Sequence, residues 1–336
     1  QTSIGSSAFA NTKLTTLTIS SSSLSTVGTS AFSGITTLTT ANLASATGLA
    51  SISNSMFANN TALDNVTISS SIKSIGDSAF LNTGLTSIGF LTSKSITSIG
   101  SSAFNGCQIT DVNLPNTLET IGSNVFPLAT TISASFDREI PSNLFNAFDA
   151  TKVTKVSISG ASISNLSNIS VLTKLSEIDL SGISNNEFTI PSNSFSNSAS
   201  TLSKVILPSQ GSKLGDNAFY NNTALTTLTN DDKVTSIGSN ALYGTNISAF
   251  NGNALTSIGD NAFNGASNLA TVNNLNSVAS IGSNAFTGTK VSSLNFNKDK
   301  LTTIGSNAFN NLSSLKSISG LGGVTTIGAN AFSNTG

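Results

Sequence analysis

Apolar and polar positions follow one short cycle along the whole chain. Half of each cycle reads apolar-x-x-apolar-x-apolar, as in Leu14-Thr-Thr-Leu17-Thr-Ile19, Leu63-Asp-Asn-Val66-Thr-Ile68, Ile109-Thr-Asp-Val112-Asn-Leu114, Leu175-Ser-Glu-Ile178-Asp-Leu180 and Val291-Ser-Ser-Leu294-Asn-Phe296. The last three positions carry the two-residue period of a strand, which places the middle residue, such as Thr18 or Asp179, on the outer face. The other half is built on an anchor that usually reads Ile-Gly. Anchors stand at Ile4, Val27, Ile52, Ile75, Ile99, Ile121, Ile140, Ile163, Ile190, Leu214, Ile237, Ile258, Ile281, Ile304 and Ile327, on average about 23 residues apart. Four or five residues after most anchors comes Ala-Phe or a near relative. The phenylalanines Phe9, Phe32, Phe57, Phe80, Phe104, Phe126, Phe195, Phe219, Phe263, Phe286, Phe309 and Phe332 therefore read as the inward core plug of each unit. Three residues before the plug stand Ser, Thr, Asn or Asp, among them Ser6, Thr29, Asn54, Asp77, Ser101, Ser142, Asp216 and Asp260. Such side chains accept a hydrogen bond at the start of a helical turn, so the segment after the anchor is predicted to be a tight turn capped into a short helix.

One such unit cannot bury its own apolar face. Stacking against copies of itself does so, which makes the predicted architecture a repeat solenoid whose stability is a sum of nearest-neighbour terms. The fixed period overrides the two or three domains that 336 residues would ordinarily suggest, and residues 1–336 are read as a single domain. The chain begins and stops inside a unit, so it is expected to be a fragment of a longer array.

The unit apolar-x-x-Ile-x-Leu-Pro followed by x-x-Ile-Gly-x-x-Ala-Phe-x-x-Cys resembles the BspA-like leucine-rich repeats, the type 5 family found in bacterial and protist surface proteins. Its clearest copy runs from Ala103-Phe104 through Cys107, Val112, Leu114-Pro115 and Leu118 to Ile121-Gly122. Most other copies carry Thr12, Asn60, Thr83, Asn222 or Thr289 at the cysteine position. The resemblance implies a right-handed leucine-rich-repeat solenoid of about fifteen coils, each with one short parallel strand and a short helical turn. It further implies a secreted or cell-surface protein, with signal and anchor outside this segment, that engages proteins, other cells or copies of itself.

Composition narrows the chemistry. Charged residues are only 9% of the chain, and 14 Lys and Arg against 15 Asp and Glu leave a net charge of −1. That balance offers no field to attract nucleic acid or anionic lipid. No apolar run approaches the ~18 residues of a membrane span, so no membrane insertion by this segment is expected. With no histidine and one cysteine, Cys107, the sequence has no metal-ligating cluster and no activated nucleophile; no cofactor is expected and no enzyme is read here. Cys107 reads as a small core residue, and Asp231-Asp232-Lys233 as a solvated loop.

What remains is surface. The strand face displays Thr15, Thr16, Thr18, Thr67, Thr86, Ser87, Thr130, Thr131, Thr226, Thr227, Asn273, Ser292 and Ser293, either an adhesive ladder or simply β-branched residues suited to solvated strands. Between about 127 and 191 the repeat becomes irregular and charge gathers, including Asp137, Arg138, Glu139, Asp149, Lys152, Lys155, Lys174, Glu177, Asp179 and Glu187. Arg138, Lys155, Glu177 and Asp179 are the candidate ligand contacts. An interaction or adhesion module is the first reading. A structural array that self-assembles is its rival, and ice binding by the threonine ladder is a minor third, weakened by Asp64, Lys155, Glu177 and Lys204 on the same face.

Overall fold

The computed structural model describes residues 2–92, 95–186 and 188–336, so Glu187 lies outside the described residues. The chain divides into two compact units, Gln1–Ser157 and Ile158–Gly336. Each is a parallel β-solenoid.

Each regular coil contributes two strands rather than the one expected. In the first unit the long-strand positions form Thr16–Thr18, Thr40–Leu43, Asn65–Ile68, Asp111–Leu114 and Thr131–Ser135. In the second they form Glu177–Asp179, Lys204–Ile206, Thr227–Thr229, Ala249–Asn251, Thr271–Asn273, Ser293–Asn295 and Ser317–Ser319. The residue before each anchor makes a second, two-residue strand with it. Ile52, Ile75, Ile99 and Ile121 stack in parallel register in the first unit. Ile190, Leu214, Ile237, Ile258, Ile281, Ile304 and Ile327 do so in the second. The sequence anchors are thus rungs of parallel sheets, except Ile140 and Ile163 in the irregular stretch, which lie outside any strand.

The glycine of Ile-Gly follows from how closely the coils approach. A Cβ on Gly305 would lie 2.5 Å from the Gly282 carbonyl carbon and 2.5 Å from the Ser283 nitrogen, and one on Gly238 would lie 2.5 Å from Asp216 Oδ1 and 2.8 Å from its nitrogen. Backbone cannot rotate out of the way, so the preceding coil leaves room only for hydrogen.

The plugs stack into aromatic columns. In the first unit Phe9, Phe32, Phe57, Phe80, Phe104 and Phe126 follow one another with ring centroids 5.2 to 5.9 Å apart. In the second, Phe195 stacks on Phe219, and Phe263, Phe286, Phe309 and Phe332 form a further column. All are buried except Phe9, 40% exposed in the first coil, and the half-buried Phe332. Where the repeat becomes irregular, the column continues from Phe126 to Phe148, 5.7 Å away, rather than to Phe145, the plug that Ser142 would cap. Phe145 is buried separately in the 3-10 helix Leu144–Ala147.

Around the plug the backbone is a run of turns, not a capped helix. The N–H groups of Ser7, Phe9 and Asn11 donate to the carbonyls of Thr29, Ala31 and Ser33 in the next coil, while those of Ala8, Ala10 and Thr12 bond back within their own coil. The same alternation recurs at Asn261, Phe263 and Gly265. It satisfies the amides from Ser7 to Thr12 and from Asn261 to Ala266, and the residue two before the plug sits in the left-handed region, φ 53° to 59°, at Ser7, Ser30, Ser55, Ser78 and Ser102 and at Asn193, Asn217, Asn240, Asn261, Asn284, Asn307 and Asn330. Asn enters that region more readily than most L residues, and Ser is small enough to follow. The expected capping side chains bond between coils: Asp77 Oδ1 accepts the Ser101 N–H at 2.8 Å, and Asp216 Oδ1 the Ser239 N–H at 2.7 Å.

One coil departs locally. Leu85 to Phe90 fits the strand pattern, yet Thr86 and Ser87 lie outside any strand and the chain turns into the helix Gly89–Thr92. Gly89 is a poor strand residue, and the Ser87 hydroxyl accepts its N–H at 3.0 Å, closing a local turn. Phe90 packs edge-on against Phe80 and Phe104.

Candidate functional site

The outward residues of the long strands form columns in register. Thr16, Thr40 and Asn65 make one, and Thr18, Asn42 and Thr67 the next. In the second unit Asn251 stands beside Asn273, and Asn295 beside Ser319. Neighbours across a parallel ladder are ~4.8 Å apart, so each column is a closely spaced row of hydroxyls and amides.

The row divides by role. Thr39, Thr130, Thr154 and Thr226, at the entry to the strands, point their hydroxyls at carbonyls of the preceding coil. These groups hold coils together. Thr16, Thr18, Thr67, Thr227 and Ser293 are exposed on outward positions within the strands, and their hydroxyls make no such bond between coils. Near the last of them, Val272, Asn273, Asn274, Asn276, Ser293 and Asn295 line a polar concavity of about 250 Å³.

Arg138 and Lys155 belong to the first unit, Glu177 and Asp179 to the second. Arg138 is exposed and ion-paired with Glu119. Lys155 is exposed on the strand Lys155–Ser159. Glu177 receives Lys204 Nζ at 2.7 Å from the adjoining strand, and Asp179 Oδ1 accepts both the N–H and the hydroxyl of Ser181 at 2.9 and 2.7 Å. Each of the four is engaged with other groups.

A second polar face was not singled out from sequence. The residues that precede the anchors, Ser51, Ser74, Ser98 and Thr120 in the first unit, make a further in-register column. With Asn54 and Asp77, and with Gly76 and Gly100 on its floor, this column borders a trough of about 460 Å³. The signal was present, since a hydroxyl residue recurs before nearly every anchor; its strand character was hidden because two residues are too few to show a period.

The cysteine position of the repeat is a hydrogen-bonding site. Thr83, Thr245 and Thr289 donate their hydroxyls to the carbonyl of their own plug. Asn60, fully buried, donates Nδ2 to the Phe32 carbonyl at 2.8 Å and accepts the Ile35 N–H at 2.7 Å. Cys107 Sγ approaches the Phe80 carbonyl at 3.2 Å and Thr83 Oγ1 at 3.1 Å. Burial pushes the Cys107 thiol above its usual pKa, opposed by the Thr83 hydrogen bond, so it stays protonated at neutral pH. We expect iodoacetamide to leave Cys107 unmodified in native protein and to label it fully in denaturant, followed by mass spectrometry; rapid labelling without denaturant would contradict the packing.

Asp231 is half-buried rather than in a solvated loop. Its Oδ2 accepts the Asn251 N–H at 2.7 Å, and burial raises its pKa despite that bond. Among the described residues no three His, Cys, Asp or Glu side chains converge as a metal site, and no helix is long and apolar enough to cross a membrane.

Solved structures similar to this chain include a leucine-rich repeat protein from Bacteroides ovatus, at 21% identity over 90% of this chain and 87% of that one with a TM-score of 0.42. A leucine rich cell surface protein from Faecalibacterium prausnitzii matches at 19% identity over 94% and 82%, TM-score 0.29. Pneumococcal vaccine antigen PcpA matches at 18% over 97% and 84%, TM-score 0.36. No curated protein matches the sequence significantly. The family model for the BspA type leucine rich repeat region, in contrast, matches residues 1–95, 90–186, 138–254 and 248–336, so the chain belongs to the BspA-type leucine-rich-repeat family.

Proposed function

We propose that this chain is a non-catalytic, extracellular or cell-surface interaction module that meets proteins or cells with the outward face of its long strands. The observation that carries the reading is the division of hydroxyls on that face. Those at the strand entries are bonded between coils, whereas Thr16, Thr18, Thr67, Thr227 and Ser293 are exposed and make no such bond. Leucine-rich repeats generally serve protein interaction, which favours the same reading. The face lacks Trp and holds its charges in local pairs, so individual contacts are weak and affinity comes from repetition along the column. Lys155, Glu177 and Asp179 stand on outward strand positions and Arg138 on an exposed loop, where they add polar contacts.

The test is a pull-down of the purified chain against extracellular-matrix proteins and intact cells. Retention of at least one partner, released by free chain as competitor, is expected. Failure to retain any panel member, together with concentration-dependent self-association in sedimentation, would favour the structural-array reading instead.

A further inference from the structure

Asparagine followed by glycine occurs three times in the chain, at Asn105-Gly106, Asn251-Gly252 and Asn264-Gly265. Such a pair carries its own chemistry, because the glycine nitrogen can attack the asparagine side-chain carbonyl and no glycine side chain screens it. Attack needs two freedoms. The glycine N–H must be able to give up its proton, and the asparagine side chain must be able to swing onto the backbone.

The fold withholds both at two of the pairs. Gly252 N–H donates to the Asn273 carbonyl and Gly265 N–H to that of Thr287, each at 2.9 Å in the next coil. Asn251 Oδ1 accepts Asn274 Nδ2 at 3.0 Å, and Asn264 Nδ2 donates to Asn261 Oδ1 at 3.1 Å. At the third pair both freedoms remain. In the preceding coils Asn11, Gly34, Asn59 and Asn82 donate their N–H groups to the carbonyls of Ser33, Ala58, Leu81 and Asn105. Gly106 is the next rung of this ladder, but the following coil brings Pro127-Leu128 at the start of the irregular stretch, and the Gly106 N–H has no acceptor among the described residues. The Asn105 side chain has no hydrogen bond there either. Gly106 is exposed and Asn105 half-buried, so water reaches the pair.

We propose that Asn105-Gly106 is a self-modification site, where asparagine converts to aspartate and isoaspartate without an enzyme. Gly106 nitrogen bonds to Asn105 Cγ; its proton and the side-chain NH2 leave together as ammonia, which closes a five-membered succinimide. Water then opens the ring. Attack at the former side-chain carbonyl gives aspartate, and attack at the backbone carbonyl gives isoaspartate, whose chain runs through the former side-chain carbon. Water is the only reagent consumed, and either product adds one negative charge. The Asn105 carbonyl accepts the Asn82 N–H at 2.8 Å. Isoaspartate turns that carbonyl into a free carboxylate and lengthens the backbone by one carbon, so the reaction alters an inter-coil rung.

The native chain is held at mildly alkaline pH, which favours loss of the amide proton, and its peptides are followed by tandem mass spectrometry. Asn105 is expected to convert roughly tenfold or more faster than Asn251 and Asn264, the scale of the two hydrogen bonds that restrain each of those pairs and not this one. Isoaspartate is expected among the products, and in denaturant the three rates converge. Asn105→Ser places here the residue that another coil carries as Ser33; it folds, as circular dichroism checks, and loses the early acidic variant on ion exchange. Conversion of Asn251 or Asn264 as fast as that of Asn105 in native protein overturns the proposal, as does aspartate without isoaspartate, or an unchanged ratio in denaturant. The pair lies in the turn after the plug Phe104 and not on a long strand, so the outcome is independent of whether the strand face binds a partner.

Discussion

Replacing Phe80 with alanine is expected to lower stability by about 3–5 kcal/mol, the usual cost of emptying a fully buried phenylalanine site. Phe80 is completely buried between Phe57 at 5.4 Å and Phe104 at 5.3 Å, with Phe90 against its edge at 5.7 Å. A solenoid coil is stable only through its neighbours, so the cavity weakens two inter-coil contacts at once. Phe9 provides the comparison: it is 40% exposed and stacks on Phe32 alone, and Phe9→Ala is expected to cost less than half as much. Urea denaturation of both variants checks the order. Equal losses would mean that the aromatic column is not what holds the coils.

Gly305→Ala is the second large effect. Its Cβ would lie 2.5 Å from backbone atoms of both Gly282 and Ser283, so the two coils must separate, at a cost of about 1–3 kcal/mol by analogy with overpacked cores. Gly5 holds the same place in the first coil and has nothing within 4 Å of its Cβ position. Gly5→Ala is therefore expected to be neutral or to stabilise slightly, by at most about 1 kcal/mol through the unfolded chain. Thermal melts of the pair decide whether the repeat glycine is kept for inter-coil approach. A matching loss at Gly5 would point to local turn conformation instead.

Both expectations rest on features legible in the sequence. The anchor column was readable because Ile190 to Ile327 recur at spacings close to the coil length, and the structure aligns them as rungs. The plugs were readable because Phe follows each anchor at a nearly constant offset. The conformation between anchor and plug was misread for a physical reason. Ser, Asn and Asp favour helix N-caps and left-handed turns alike, and the choice is made here by carbonyls of the next coil, such as that of Thr29 bonding Ser7 N–H, which no local pattern reveals. Phe148 escaped notice for a similar reason, since the 3-10 helix Leu144–Ala147 shifts the register by three residues. At the candidate site, the outward position of Thr18 and Asp179 followed from strand period, but nothing in the sequence told the hydroxyl of Thr67, which makes no bond between coils, from the inter-coil one of Thr130. Nor did it show that Asp179 is occupied by Ser181 and Glu177 by Lys204.

The strand face is tested most directly by comparing two sets of lysine substitutions for binding to whichever matrix protein or cell type the native chain retains. One set, Thr18→Lys with Thr67→Lys and Thr227→Lys with Ser293→Lys, places charge on exposed strand positions; the other, Thr61→Lys and Ser267→Lys, places it on exposed turns after the plugs. Loss of binding in the first set, with native binding in the second and unchanged circular dichroism throughout, is the result predicted. Binding that survives the strand substitutions and disappears with the turn substitutions would contradict it.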